Sequence, residues 1–335
     1  MINMQRRAFF SATVAMALAN SAQTKILSDD DESLTGLFFD DIFLQPIFEE
    51  GHPETPKRLS RGIDLLVGSH HLKPQLKFCS VRLASSEELK ILHTDDHIRK
   101  LNAKYNKSTN LVARASVGAA LQACDDVHKG IIKNAFVGSR PPGHHARNYG
   151  KEEGFCFFNN ISIAAKYLQK KYGYKKILIV DWDYHHGDGT EYFFYEDPSV
   201  LFFSTHDQYA YPGTGSPTKR GAGEGLGYNI NVHLDCGSTN KDIQKAFEEK
   251  LLPAANQFQP EFILLSAGFD SRVDDRLGCF KIDDEGYKEL TILLKNLAEK
   301  FCDKKLVSIF EGGYSPDGVA TAIQSHVEEL LKVRT

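Results

Sequence analysis

The sequence predicts an α/β fold built on a single doubly wound, mostly parallel sheet with helices on both faces. Three observations predict it. Short β-branched or aromatic runs alternate with helical patterns from residue 35 onward. Several of the runs are apolar throughout, as strands covered on both faces are. Polar, chemistry-bearing motifs follow the strands directly, at the carboxyl ends where open α/β sheets hold ligands.

The strands expected in order are 36–39, 134–137, 176–180, 200–204, 228–232, 262–266 and 306–310. Between them, Ala113, Val117, Ala120, Leu121, Cys124, Val127 and Ile131 recur at helical spacing and predict a helix over 113–132. Further helices are expected near 159–171, 241–258, 284–302 and 317–333. No linker, repeat or low-complexity stretch interrupts residues 35–335, so these form one catalytic-sized domain.

Ahead of that domain, residues 1–22 carry Arg6-Arg7, a short Ala-rich apolar run and small residues at Ala17-Leu18-Ala19 and Ala22. This pattern reads as a twin-arginine-like export signal, which places the mature chain in the periplasm. The alternative is a frayed extension or amphipathic helix on a cytoplasmic protein. Residues 23–34 read as an acidic linker containing Asp29-Asp30-Asp31-Glu32. No other run reaches the ~18 uninterrupted apolar residues of a membrane helix, so the mature form is expected to be soluble and free of membrane.

Composition narrows the function. The chain has 335 residues, 41% hydrophobic and 11% aromatic, which excludes a disordered chain. Forty Lys and Arg against 44 Asp and Glu give a net charge of −4, so no basic field favours nucleic acid. None of the six cysteines forms a Cys-x-x-Cys pair; they read as buried or half-buried free thiols with no disulfide framework. Thirteen histidines is the one high count.

Four motifs at strand ends account for much of it. After 134–137 come Arg140-Pro141-Pro142-Gly143-His144-His145. Adjacent residues of a strand face opposite sides, so two histidines in a row can both face a cleft only from a loop. They read either as an acid–base pair or as a polar loop. After 176–180 come Asp181, Asp183, His185, His186 and Asp188. Unpaired carboxylates are costly to bury, which makes a cation their natural partner. Continued strand geometry would turn Asp183 and His185 to one side, as ligands of a divalent metal. Asp270, after 262–266, completes an Asp-His-Asp set with a position left for water, though alone it could be a helix cap. Tyr314, after the Gly312-Gly313 turn, can offer a phenol to an oxyanion.

Together HPETPKR (52–58), RPPGHHA (140–146), GFCFFNN (154–160), DWDYHHGDGT (181–190), YPGTG (211–215), SAGFD (266–270) and EGGY (311–314) closely resemble the arginase/deacetylase superfamily. The branch is that of zinc-dependent histone deacetylases and acetylpolyamine amidohydrolases, with a class II or bacterial character. The resemblance implies one zinc held by Asp183, His185 and Asp270, and an acid–base pair His144 and His145 oriented by Asp181 and Asp188. It implies that Tyr314 polarises the amide carbonyl, and that Gly154, Phe155, Tyr211 and Leu277 line a narrow tunnel. Asp95, or Asp96, stands where a rim acid holds the substrate backbone. Asp181, Asp183, His185, Ser204 and Thr205 match a structural K+ or Na+ site; Phe194, Asp197, Val200 and Tyr228 match a second. The implied reaction is attack of a metal-activated water on an acetamide, aided by His145, giving acetate and a free amine. The implied partner is a small molecule or peptide with an acylated amine. Arg276 departs from a common proline near the tunnel mouth, and Tyr211 from a common phenylalanine. The competing readings are a binuclear manganese ureohydrolase, which needs more aspartate ligands, and a non-catalytic binder of acylated amines.

Overall fold

The structure, a computed structural model, describes residues 34–332, so the export-signal and most of the linker expectations fall outside it. Eight strands form one sheet: β1 (Thr35–Phe38), β2 (Leu76–Cys79), β3 (Asn134–Val137), β4 (Ile177–Asp181), β5 (Val200–His206), β6 (Asn229–His233), β7 (Phe262–Ala267) and β8 (Leu306–Phe310). Their order is β2-β1-β3-β8-β7-β4-β5-β6, and every neighbouring pair is parallel. The sheet is therefore wholly parallel, where the sequence suggested mostly so. β3, β7 and β8 are buried along their whole length, as are β4 and β5, which accounts for their unbroken apolar runs.

Among the described residues ten α-helices complete the fold: α1 (Lys57–Gly68), α2 (Ser86–Leu89), α3 (Asp95–Lys104), α4 (Lys107–His128), α5 (Asn160–Tyr172), α6 (Asp188–Phe194), α7 (Asn240–Ala246), α8 (Leu252–Phe258), α9 (Asp284–Phe301) and α10 (Pro316–Leu331). α4 and α5 pack together against the central strands, while α1, α10 and α9 pack as a second group against the same sheet. Side-chain caps fix several starts: Asn159 accepts from Ser162 N at 3.0 Å and Asp283 from Gly286 N at 3.0 Å.

Three expectations change. The single helix expected at 241–258 contains one π-turn, Phe247–Leu251, ahead of Pro253 in the first turn of α8; a proline has no N–H to continue the α pattern, and the widened turn absorbs the defect. β2 and helices α1, α2, α3 and α6 are additional. Cys236, just past β6, and Cys279, between β7 and α9, form a disulfide with Cα atoms 5.2 Å apart. The two lie 43 residues apart, and only the return of the chain after β7 brings them together. Cys79, Cys124, Cys156 and Cys302 are free thiols, as expected. Among the described residues no helix is long and apolar enough to cross a membrane.

β3, β8, β7, β4 and β5 are consecutive in the sheet, so the loops after them meet along one edge. That topology brings motifs separated by more than a hundred positions into one place.

Two buried histidines outside the motifs of that edge make stability acid-sensitive. His326 lies between Thr291 Oγ1 at 2.7 Å and Ser308 Oγ at 2.9 Å, and burial, with Lys295 adding, lowers its pKa to about 3. Burial and the stacked His97 lower His93 likewise to about 3. The unfolded chain takes up these protons below about pH 6.5 while the native state refuses them, so stability falls as pH drops from about 6.5 toward 3. Thermal unfolding followed by circular dichroism should show the melting temperature falling through this window, with a shallower slope in His326→Gln; an equal slope in the variant rejects the assignment.

Candidate active site

β4 ends at Asp181. The chain then turns, so Asp183 and His185 do not share a strand face as the sequence reading supposed. They converge nonetheless. The His185 backbone N–H donates to Asp183 Oδ1 at 2.9 Å, and His185 Nδ1 lies 3.2 Å from that oxygen and 3.0 Å from Asp270 Oδ2. Asp270 comes from the loop after β7, the strand paired with β4. Backbone amides hold the outer oxygens: Tyr184 N donates to Asp270 Oδ1 at 2.8 Å, and Gly312 N to Asp183 Oδ2 at 2.8 Å.

One ligand atom from each of Asp183, His185 and Asp270 falls within 4.8 Å of the others, and all three residues are buried. Burial and the charge of Asp183 push Asp270 up to about 7. Two carboxylates repelling each other in a dry pocket beside an imidazole is an arrangement that a divalent cation relieves. Carboxylate oxygen with imidazole nitrogen, three ligands in all, suits zinc with a coordination position left open.

His144 and His145 face this cluster together, their ring centroids 4.0 Å apart. His144 Nδ1 pairs with Asp181 Oδ2 at 3.0 Å and His145 Nδ1 with Asp188 Oδ1 at 2.8 Å. Each aspartate pairs with the histidine that the resemblance assigns to it. The two imidazoles are driven apart electrostatically. Burial opposes a charge on His144, but Asp183 and Asp181 together outweigh it and raise its pKa well above the ordinary value. Burial and the charge of His144 lower His145 to about 4, against the pull of Asp188.

Tyr314 is buried, with Phe155 at 5.8 Å between ring centroids and the Arg58 guanidinium 4.8 Å from its ring centre. Burial holds its phenol protonated, as a hydrogen-bond donor must be. Gly154 and Phe155 both have positive φ, 52° and 69°. A Cβ on Gly154 would lie 2.4 Å from His145 Cδ2, so only glycine fits there. Tyr211 packs edge-on to His145 at 5.0 Å between centroids. Leu277 is 42% exposed at the rim. The turn containing Arg276 needs no proline: Asp275 accepts from Leu277 N at 2.8 Å and Gly278 N at 3.1 Å, and its other oxygen from Tyr314 N at 2.5 Å.

Ser204, opposite Asp181, and Thr205 lie near the end of β5, and both are buried. Asp197 instead pairs with Lys166 and Ser199, on the strand-and-helix side where Phe194, Val200 and Tyr228 lie. His186 turns away from the cluster toward Thr214 Oγ1, at 2.7 Å. Asp95 is exposed and pairs with Lys90 at 2.9 Å, whereas Asp96 pairs with Lys100 at 2.7 Å. Neither joins the hydrogen-bond network of the cluster.

Sequence reasoning quoted HPETPKR and RPPGHHA but read no role for their charges. Glu54, Arg58 and Arg140 form a fully buried ion-pair cluster, with Arg58 Nη1 2.8 Å and Arg140 Nε 2.6 Å from Glu54 Oε1. Arg58 also donates to the carbonyls of Glu311 and Gly313, so it pins the loop that presents Tyr314. Glu311, likewise unread, accepts from Gly143 N at 2.6 Å and His144 N at 3.1 Å and fixes the histidine loop.

With this geometry in place, the comparisons are informative. The family model described as "Histone deacetylase domain" matches residues 52–330. A probable deacetylase of Archaeoglobus fulgidus is 37% identical over 85% of this chain and 82% of its own length. Human polyamine deacetylase HDAC10 is 36% identical over 92% of this chain and 48% of its own. Histone deacetylase 6 of Caenorhabditis elegans is 36% identical, and the chain spans 32% of it. The crystal structure of the HDA15 HD domain superposes with a TM-score of 0.83 at 34% identity, covering 89% of this chain and 90% of that one. The fold and the site define an amide-hydrolysing enzyme. The chain belongs to the histone deacetylase domain family, and its relatives are named as deacetylases.

Gly312 tests the ligand cluster without replacing a ligand side chain. A Cβ there would lie 2.1 Å from Asp270 Oδ2 and 2.5 Å from Asp183 Oδ2. Gly312→Ala should therefore abolish stoichiometric metal retention while the protein remains folded; full metal content by elemental analysis would contradict the cluster's geometry.

Proposed function

We propose that the protein is a mononuclear zinc-dependent deacetylase that releases acetate from the amine of acetyl-lysine or of acetylated polyamines. The observation that carries this is the convergence of Asp183, His185 and Asp270 opposite a histidine pair whose two members are tuned in opposite senses. When bound, zinc supplies Lewis acidity to the water and to the amide carbonyl.

The chain's own groups supply the rest. His145, neutral at physiological pH, accepts the proton from water at Nε2, because Asp188 occupies Nδ1. Asp188 holds that tautomer and orientation. Tyr314 donates its phenolic hydrogen bond to the oxyanion that develops on the carbonyl. The proton held on the histidine pair passes to the leaving amine. Phe155 and Tyr211 give the approach apolar, aromatic walls, which suit the methylene chain of an extended acyl-amine.

Asp181, Asp183, His185, Ser204 and Thr205 are proposed to hold K+ or Na+ through side chains and carbonyls, and the unpartnered buried Thr205 Oγ1 suits such an ion. One zinc per chain is the expected stoichiometry. A second metal would require a further carboxylate beside Asp270, where the chain has Ser271 and Arg272. Residues 1–22 support a proposal of periplasmic export, for which N-terminal sequencing of protein recovered from a fractionated cell is the test.

Purified protein assayed against acetyl-lysine peptides and acetylated putrescine, cadaverine and spermidine should deacetylate one class or more; inactivity toward all of them, with zinc bound, rejects this function. Tyr314→Phe should lower kcat roughly 10²–10³-fold, as loss of one oxyanion donor does. Near-normal turnover would remove Tyr314 from that role. Asp183→Ala should lose the metal, and full zinc occupancy in this variant would refute the ligand set.

A further inference from the structure

The geometry points to Arg147 as a positioning residue that clamps the orientation of His145 to the wall of the substrate tunnel. This rests on the deacetylase reading above, in which His145 is the base.

Arg147 follows the two histidines by one residue and reaches two buried carboxylates with one guanidinium. Its Nη1 lies 3.3 Å from Asp188 Oδ2, the oxygen that His145 leaves free. Its Nη2 lies 2.6 Å from Glu153 Oε1. Its backbone N–H and Nε donate to Glu153 Oε2 at 3.1 and 3.4 Å.

Glu153 in turn opens the tight turn of the tunnel wall. It exchanges backbone hydrogen bonds with Cys156, at 3.0 and 2.8 Å, and between those two residues Gly154 and Phe155 take their positive-φ conformations. The same turn presses Gly154 against His145. His145 is thus held from behind by Asp188 and from the side by the 153–156 turn, and among the described residues Arg147 bonds to both supports.

The charges make the clamp necessary. Asp188 and Glu153 are 7% and 5% exposed. Two carboxylates so placed need a cation, and breaking a buried pair strands the charge that remains. A planar fork can serve two carboxylates in fixed directions, which a lysine ammonium on a flexible stem does not. The face of the guanidinium lies 4.5 Å from the centre of the Tyr149 ring, which completes its fixation.

The two arms have separable consequences. Loss of the Asp188 arm frees the base to misorient and acts on kcat. Loss of the Glu153 arm loosens Gly154 and Phe155 and acts on KM.

The test compares Arg147→Met, Arg147→Lys and Glu153→Gln in the zinc-loaded full chain, with an acetyl-lysine peptide as substrate. Arg147→Met should lose about 10–100-fold in kcat/KM, the usual cost of removing a partner behind an orienting carboxylate, with kcat reduced. Glu153→Gln should raise KM with kcat nearly kept, and Arg147→Lys should restore less than half of the loss. Amide hydrogen exchange provides a readout independent of turnover: Arg147→Met should speed exchange at Glu153 and Cys156 while leaving the central strands protected. Unchanged exchange there, or wild-type kcat and KM in Arg147→Met, overturns the clamp. An inactive wild-type enzyme whose Arg147→Met exchange changes as described overturns the deacetylase reading and leaves the clamp standing.

Discussion

The fold concentrates negative charge where there is no water to screen it. Asp181, Asp183 and Asp270, with Glu311 and Glu54, sit fully buried or nearly so along one sheet edge. Almost every other feature of that edge is a means of tolerating these carboxylates. Backbone amides of Tyr184, Gly312, Gly143 and His144 point at them. Arg58 and Arg140 neutralise Glu54 from within the core. Glycine at 312 lets the backbone come close enough to Asp183 and Asp270 to do this. Burial still pushes Glu311 and Asp270 up to about 7, so the edge is only partly compensated by the polypeptide. A divalent cation held by Asp183 and Asp270 would supply the remaining compensation, and the same frustration that would destabilise the bare site would give it affinity.

The same electrostatics separate the roles of two chemically identical neighbours. His144 lies nearest the aspartates of the ligand cluster and is biased toward its charged form; His145, a residue further along, feels chiefly burial and that charge. A bound cation would cancel part of the field at His144, because Asp183 is both ligand and neighbour. Asp188 and Asp181 need not differ in kind for the two imidazoles to behave differently.

Much of this was legible in the sequence. The metal set, the histidine pair, their orienting aspartates and Tyr314 are each next to a strand end, and strands with unbroken apolar runs are easy to place. Five of the seven predicted strands differ from those observed only by a residue or two at an end; 134–137 and 306–310 coincide with β3 and β8. What escaped depends on distance in the chain. Glu54 meets Arg140 across 86 positions, and Cys236 meets Cys279 across 43, and neither partner carries a local signature of the other. β2 escaped because it lies at the sheet edge, where Phe78 stays half exposed and no continuous apolar run is needed. The turn that carries Arg276 in place of a common proline is held by Asp275, which accepts from Leu277 N and Gly278 N.

The parallel pairing of β4 with β7 has a consequence for how the enzyme matures. Asp183 and His185 follow β4, whereas Asp270 follows β7, and the two strands become neighbours only after the intervening β5, β6 and α7–α8 have been laid down. A nascent or partly folded chain therefore offers a metal ion two ligands but not the third. Stoichiometric capture of a metal by these three residues would then wait for the pairing of Ile177 with Phe262 and its neighbours, and would report that β4 and β7 have joined.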